Sequence, residues 1–443
     1  MKLFGTDGIR GEAGVAPLDP ETIARVGAAL VRAHGGRGLR VLLGRDTRES
    51  GPWIEDALTR GLASAGADVG SVGVVPTPAV AYLTKADGFD LGVVISASHN
   101  PYRDNGIKVF SGAGEKFTEA EERAVEAIVA DPSWAVGLGA GHHARPRPDL
   151  VPHYLDHLRR VLADAGPLRG TRVVVDCANG ATSELAPALL AGLGFVVDAI
   201  GAAPDGRNIN RGCGSTAMDL LQDRVAATGA ALGVAFDGDG DRALFVDHHG
   251  RRVDGDAVML VCADQLRREG RLAGDAVVAT VMSNIGLELA LKDRGLTLVR
   301  CPVGDKYVME EMLKRGLSLG GEQSGHVIFA EHLFTGDGMA TALHVLRTMA
   351  ATGRTLAELA ASLTTYPQVL INVRVRERVG IDGVPAIAAA MRDVERRLDG
   401  HGRLLVRYSG TEPLLRIMLE GRDQREIQAW AEEIATAVRT HLG

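Results

Sequence analysis

At 443 residues, with 46% hydrophobic and 24% charged residues, the chain has the make-up of an ordinary globular protein long enough for about three domains. Its formal net charge of -7 excludes a general nucleic-acid binder, which would show a basic face, and requires a local cationic pocket for any anionic substrate. No apolar run approaches the ~20 residues of a membrane span, the first eight residues are charged and Gly-rich where an export signal needs an apolar core, and the four cysteines form no C-x-x-C pair; a cytoplasmic protein with reduced thiols and no membrane partner is expected.

From the N-terminus, Phe4-Gly5-Thr6-Asp7-Gly8-Ile9-Arg10-Gly11 suits a tight backbone beside an anion, and equally a surface turn. A strand over 40–44 ends in Arg45-Asp46-Thr47-Arg48, and Ser50-Gly51-Pro52 opens a helix to about Gly66. A strand over 69–72 leads into Val75-Pro76-Thr77-Pro78, a rigid loop. Val93-Val94-Ile95 then stops abruptly at Ser96-Ala97-Ser98-His99-Asn100-Pro101. That pattern reads as a buried strand delivering a reactive hydroxyl, Ser98, to the end of a sheet, where open α/β folds place their ligands. An Asn-Pro turn with capping side chains is the competing reading. The next strand, 106–110, carries Lys108, one of only 7 lysines among 49 basic residues. A helix over 119–129 follows.

Residues 131–149 are rich in Gly, Pro and polar residues and mark a first boundary, with His142-His143 as solvated linker. Beyond it come a helix over 151–165, a strand over 172–175, a strand over 195–199 and a strand over 231–236. The last runs straight into Asp237-Gly238-Asp239-Gly240-Asp241-Arg242. Three carboxylates at alternate positions repel one another unless a cation is bound, and the glycines let their oxygens converge. A calcium hand would need Gly at the sixth position and Glu at the twelfth, which here are Arg242 and His248. Mg²⁺ is the expected ion.

A third α/β unit begins near Arg251, with helices over 256–269, from 285 and from 305, strands over 276–281 and 297–300, and a further helix after Thr335-Gly336-Asp337-Gly338. Within it, Gly320-Gly321-Glu322-Gln323-Ser324-Gly325-His326 offers a carboxylate, an amide and a hydroxyl on a flexible backbone, suited to a polyol or to a plain hairpin turn. After Tyr366-Pro367 the order changes to strand 369–375, helix 384–398, strands 403–408 and 414–420 and helix 424–442, as in a small α+β domain. Arg407-Tyr408-Ser409-Gly410-Thr411-Glu412-Pro413, with Arg416 beyond, would cradle a phosphate on backbone N–H groups, hydroxyls and guanidinium groups.

No Walker sequence, G-x-G-x-x-G, G-x-S-x-G or H-E-x-x-H is present. The four loops at 96–101, 237–241, 320–326 and 407–413, in that order, resemble the phosphoserine, metal, sugar and phosphate loops of the α-D-phosphohexomutase superfamily over essentially the whole chain. Segments 4–11 and 303–307 and the Gln323 version of the sugar loop are most similar to its bacterial amino-sugar branch. Lys306, where that branch has arginine, and Tyr408 inside the phosphate loop depart from the pattern.

The resemblance implies an α/β fold of three similar domains with mixed, mostly parallel sheets and a smaller C-terminal α+β domain around a central cleft, divided at 1–148, 149–249, 250–366 and 367–443. It implies an isomerase that converts glucosamine 6-phosphate to glucosamine 1-phosphate through a phosphoserine at Ser98 and a 1,6-bisphosphate intermediate, feeding UDP-N-acetylglucosamine and cell-wall synthesis. Ser98, Asp237, Asp239 and Asp241 would hold one Mg²⁺. Arg10, His99, Lys108 and Arg242 would surround the transferring group, with Lys108 handling a proton. Glu322 and Ser324 would grip the sugar, and Arg407, Ser409, Gly410, Thr411 and Arg416 the other phosphate, in a monomer or homodimer. A glucose or mannose phosphate mutase, a metal-dependent phosphohydrolase and a non-catalytic sugar-phosphate sensor are the alternatives.

Overall fold

The computed structural model describes residues 2–5, 7–137, 143–409 and 413–443, so Thr6, His142, Gly410 and Thr411 lie outside the described residues. The chain forms two compact units. One runs to Met282 and resumes over Leu296–Ser362; the other comprises Ser283–Gly295 and Leu363–Gly443.

The first unit begins with β1 (Phe4–Gly5), β2 (Gly8–Glu12), α1 (Pro20–Ala33), β3 (Arg40–Arg45), α2 (Gly51–Ser64), β4 (Asp68–Val74), α3 (Thr77–Ala86), β5 (Leu91–Ile95), β6 (Asp104–Ser111), α4 (Glu119–Ala130) and β7 (Arg145–Pro146). These strands form one sheet in the order β1-β2-β6-β5-β3-β4-β7. A second group follows: α5 (Val151–Arg159), β8 (Arg172–Asp176), α6 (Leu185–Gly192), β9 (Val196–Ile200), α7 (Asp219–Thr228), β10 (Leu232–Phe236), β11 (Ala243–Asp247) and β12 (Arg252–Val253). Its sheet order is β12-β11-β10-β8-β9. The third group contains α8 (Gly255–Arg268), β13 (Ala276–Thr280), then α9 (Ile285–Asp293), which belongs to the other compact unit, β14 (Thr297–Cys301), α10 (Asp305–Arg315), β15 (Leu319–Gly321), β16 (Val327–Phe329), α11 (Gly338–Thr352) and α12 (Leu356–Ala360), with sheet order β14-β13-β15-β16.

One arrangement recurs three times: β6-β5-β3-β4, β11-β10-β8-β9 and β16-β15-β13-β14. In each, the first three strands in chain order run parallel and the fourth returns antiparallel through a hairpin. β5 and β10 are buried along their whole length, as strands covered on both faces must be, which explains their continuous apolar sequence. The hairpin loops that follow β5, β10 and β15 are 96–103, 237–242 and 322–326, and they carry the residues singled out from sequence.

Three local differences have physical reasons. Residues 75–78 do not form a free-standing loop, since Thr77-Pro78 starts α3; a proline in the first turn lacks only an N–H that has no helical partner there. Helix α1 was not read from sequence, although Asp19 accepts from the Thr22 N–H at 3.0 Å as its N-cap and Pro20 opens its first turn. The 131–149 linker supplies β7, an edge strand parallel to β4. His143 in that linker is exposed, 3.3 Å from Asp56. All four cysteines are free and buried. Among the described residues, no helix is long and apolar enough to cross a membrane.

The second unit is an antiparallel sheet ordered β17-β19-β18, built from β17 (Gln368–Arg374), β18 (Arg403–Tyr408) and β19 (Leu414–Glu420), with α13 (Pro385–Leu398) and α14 (Gln424–Leu442). Ile417, Leu419, Ile427, Ile434 and Val438 form its core. Helix α9 joins this unit through its N-terminus. The Asn284 amide donates to the Tyr366 carbonyl at 3.0 Å, and the Ile285 N–H donates to the Glu420 carboxylate at 3.1 Å. An anion at that end complements the positive pole of the helix.

Candidate active site

Ser98 sits at the tip of the loop after β5 with φ 53°, a left-handed conformation rare for a residue with a side chain. Its neighbours hold it there. The Ser98 N–H donates to Ser96 Oγ at 2.9 Å, and Ser96 Oγ donates to Asp46 at 2.5 Å. Arg48 is paired with Asp46 at 2.9 Å, both side chains fully buried, and its other nitrogens donate to the carbonyls of Ser98, Asn100 and Pro101 at 2.9, 2.9 and 2.6 Å. The Asn210 amide donates to the Ser98 carbonyl at 2.9 Å. Sequence reading placed Asp46 and Arg48 at a strand end but gave them no role, and Asn210 was not singled out; two opposite charges two residues apart, leaving a buried strand, were the available signal.

The hydroxyl of Ser98 donates to Asp237 Oδ2 at 2.5 Å. Carboxylate oxygens of Asp237, Asp239 and Asp241 lie within 4.8 Å of one another, all three residues buried. Gly238 lets this loop approach: a Cβ there would stand 2.5 Å from the Ser98 carbonyl oxygen, so any side chain would push the two loops apart. Burial, with the charges of Asp241 and Asp239, pushes the Asp237 carboxyl well above its ordinary range. Asp241 is under the same pressure from burial, but Lys108 overcomes it and holds the group at about 2. Asp239 Oδ1 and Asp241 Oδ1 are buried with no hydrogen-bond partner among the described residues. Buried charged oxygens left unpaired are costly, and a hard cation is the group that would use them. The donor set therefore fits Mg²⁺.

Cations face this acidic cluster. Lys108 Nζ lies 2.8 Å from Asp239, 3.0 Å from Asp241 and 3.1 Å from Asp7. Despite burial, these three carboxylates raise its pKa well above the usual lysine value, so it is held as a cation. Arg10 pairs with Asp7, and Arg242 Nε lies 3.9 Å from Asp241. Both arginines keep a buried Nε with no hydrogen-bond partner among the described residues. His99 Nδ1 is 3.3 Å from Ser98 Oγ; burial, then Arg242 and Arg10, lower its pKa. A cavity of about 580 Å³ is lined by Arg10, His99, Asp241, Arg242, Asp305 and Glu322 among others. Glu322 accepts from the Gly304 N–H at 3.2 Å and from Ser324 Oγ at 3.4 Å. Gln323 points elsewhere and donates to Asp254, the N-cap of α8, at 3.1 Å.

Three further residues were not assigned from sequence. Lys116 pairs with both Asp7 and Asp305, and His326 Nε2 lies 3.2 Å from Asp305. Burial opposes charge on His326, but Asp305 raises its pKa above the usual value. His326 ends the 320–326 loop already singled out; Lys116 and Asp305 become legible only once distant segments meet. Lys306 is buried and paired with Glu122 at 2.9 Å.

In the C-terminal unit, Arg407 and Arg416 are direct cross-strand partners on β18 and β19. Like charges placed opposite each other are unfavourable, and a bound anion would relieve them. Arg416 donates to Ser409 Oγ at 3.4 Å. Tyr408 is structural: its hydroxyl donates to the Val379 carbonyl at 2.8 Å and accepts from the Val379 N–H at 3.2 Å.

Family models of the phosphoglucomutase/phosphomannomutase alpha/beta/alpha domains I, II and III match residues 1–135, 152–250 and 254–366, and that of the C-terminal domain matches 370–437. The chain belongs to the phosphoglucomutase/phosphomannomutase family. Among its relatives, the phosphoglucosamine mutase of Solibacter usitatus is 49% identical over 100% of this chain and 99% of its own length. The phosphoglucosamine mutase of Desulforudis audaxviator is 49% identical over 98% of this chain and 97% of its own. A solved phosphoglucomutase/phosphomannomutase family protein from Burkholderia thailandensis superposes with a TM-score of 0.80 at 25% identity, covering 99% of this chain and 97% of that one.

Proposed function

We propose that the chain is an isomerase that interconverts glucosamine 6-phosphate and glucosamine 1-phosphate, with a phosphorylated Ser98 as donor and a 1,6-bisphosphate as intermediate. The observation that carries this reading is the Ser98 hydroxyl 2.5 Å from Asp237, inside a ring where two aspartate oxygens and two arginine nitrogens are buried without hydrogen-bond partners among the described residues. The arginines suit phosphoryl oxygens, and the aspartates suit a divalent cation. The two full-length relatives cited above carry the same activity in their names.

Asp237, Asp239 and Asp241, with the oxygen of Ser98, would hold Mg²⁺, whose charge would neutralise that developing on a transferring phosphoryl group. Arg10 and Arg242 orient that group in line with the incoming sugar hydroxyl. As the sugar oxygen bonds to phosphorus, the bond to Ser98 Oγ breaks. Lys108, flanked by three carboxylates, serves as fixed positive charge and keeps its proton. His99, which lines the cavity 3.3 Å from Ser98 Oγ, is the group we assign to exchange the hydroxyl proton. Glu322 and Ser324 hold the sugar hydroxyls, while Arg407, Ser409, Gly410, Thr411 and Arg416 take the non-reacting phosphate. The bisphosphate then reorients and returns its other phosphoryl group to Ser98. We assign these roles to functional domains at 1–148, 149–249, 250–366 and 367–443, in a cytoplasmic monomer or homodimer without nucleic-acid or membrane partners.

The test is a side-by-side assay of glucosamine, glucose and mannose 6-phosphates with Mg²⁺ and a trace of the matching bisphosphate. The reading requires the highest kcat/KM for glucosamine 6-phosphate without release of inorganic phosphate. Phosphate accumulating in step with substrate loss would establish a hydrolase instead.

A further inference from the structure

A second group of metal-type ligands lies outside the proposed catalytic centre. Glu331 and His332 follow β16, and His344 is on α11; none of them lines the catalytic cavity. His332 Nε2 and His344 Nε2 face each other at 3.0 Å. Glu331 Oε1 stands 3.4 Å from the first and 3.8 Å from the second. One ligand atom from each therefore falls within a 4.8 Å cluster. For a tetrahedral ion with bonds of about 2.0–2.2 Å, the ligand–ligand edge is about 3.3 Å, and the three separations bracket it.

The surroundings fix these atoms as the outer groups of a metal site do. Arg271 pairs with Glu331 Oε2, leaving Oε1 turned toward the histidines. Phe329 stacks on the His344 ring with centroids 3.9 Å apart and planes 9° apart. His157, on α5, meets His332 edge-on at 5.0 Å, and its own Nε2 is buried with no hydrogen-bond partner among the described residues. The charges of Arg271 and Arg347 are balanced by Glu269 and Glu331. His344 is buried and the Glu331 side chain is 33% exposed, which gives an ion a route in from solvent and room for water as fourth ligand.

We infer that Glu331, His332 and His344 form a binding site for a borderline divalent transition-metal ion, best matched by Zn²⁺, which clips the segment after β16 to α11. Two imidazoles and one carboxylate suit zinc, whereas Mg²⁺ and Ca²⁺ prefer all-oxygen sites.

The experiment uses the full-length protein, stripped with chelator and held in saturating Mg²⁺ to occupy the aspartate cluster. Zn²⁺ alone is then titrated, bound metal counted by elemental analysis, and Co²⁺ substituted for a visible spectrum. The inference expects one zinc per chain, intense four-coordinate cobalt bands and a thermal midpoint raised by about 3 °C at ~100-fold excess over Kd. The His332→Gln/His344→Gln double variant should lose at least tenfold in zinc stoichiometry and lose the cobalt bands, with Mg²⁺-supported turnover unchanged. Glu331→Gln, a near-isosteric change, guards against misfolding of the double variant and should weaken Zn²⁺ binding about tenfold or more. Equal zinc content in wild type and both variants, or no zinc in wild type, would overturn the site and leave a hydrogen-bonded histidine pair, whether or not the proposed mutase activity holds.

Discussion

The Ser98 hydroxyl lies 2.5 Å from a carboxylate oxygen of Asp237, a residue 139 positions further along the chain, in the loop that leaves a different sheet. The contact joins the proposed nucleophile to the proposed metal cluster, and its two ends are held by independent scaffolds. One is the Asp46–Arg48 pair under the serine loop, and the other is the hairpin between β10 and β11.

Ser98→Ala removes the group proposed to carry the phosphoryl transfer. Uncatalysed phosphate-monoester chemistry is so slow that no neighbouring side chain compensates, and turnover should fall by about 10⁴-fold or more. Assay of the variant, with intact-mass measurement of wild type and variant, checks this. Substantial residual turnover, or phosphate retained on the variant, would reject Ser98 as the carrier.

Divalent-ion affinity should depend on pH. In the ion-free protein, burial and its two acidic neighbours keep the Asp237 carboxyl protonated above the usual range, so binding must expel that proton. Apparent Mg²⁺ affinity should weaken by up to about tenfold per unit as pH falls below the raised pKa. Calorimetry in two buffers of different ionisation enthalpy should register proton release. Heats independent of the buffer would contradict it.

Breaking the Asp46–Arg48 pair should separate stability from catalysis. Arg48→Met leaves a buried carboxylate unpaired and should cost about 3–5 kcal/mol by denaturant melts. Asp46→Asn combined with Arg48→Met should recover part of that loss. Turnover should stay low in both, because the carbonyls of Ser98, Asn100 and Pro101 each lose the Arg48 guanidinium that ties the three together. Full activity in the double variant would show that the loop holds itself.

Asp337 offers a pH-dependent stability test. It caps α11 through the Ala340 N–H at 2.9 Å, and Tyr154 donates to its other oxygen at 2.9 Å, yet burial pushes its carboxyl up to about 6. A carboxyl whose folded pKa is raised gives stability that is complete below about 3.8 and lost as pH rises through 6, about 3 kcal/mol in all. Asp337→Asn keeps a capping oxygen and cannot ionise. The difference in stability between wild type and variant should therefore move in the variant's favour from pH 4 to pH 7; a constant difference would show that Asp337 does not titrate there.

Arg416→Ala should raise KM for the sugar phosphate about 10- to 100-fold with a smaller change in kcat, since the group is proposed to hold the phosphate that does not react. An unchanged KM would remove Arg416 from that role.

Much of this was legible in the chain because apolar runs end abruptly at chemistry. Val93 to Ile95 stops at Ser98, and the strand before Asp237 stops at three aspartates; each boundary marks a buried strand reaching the sheet edge. Strands β18 and β19 and helix α14 were legible end to end because their apolar periodicity is regular. Helix α3 was not, because two prolines around Thr77 read as a breaker when they mark a helix start. Asp46, Arg48, Asp305 and His326 fell within segments noted from sequence but not as partners, and Lys116 was not noted at all. Pairings such as Lys116 with Asp305, 189 positions apart, are created by tertiary packing and leave no local pattern.

The thrice-repeated hairpin has an operational consequence. The proposed nucleophile, cation cluster and sugar-gripping loop each leave a separate sheet, and no single strand or helix carries two of them. Their mutual spacing is therefore set by how those sheets dock, a looser property than the folding of any one. On gradual heating or in mild urea, turnover should fade while far-ultraviolet dichroism still reports an intact backbone.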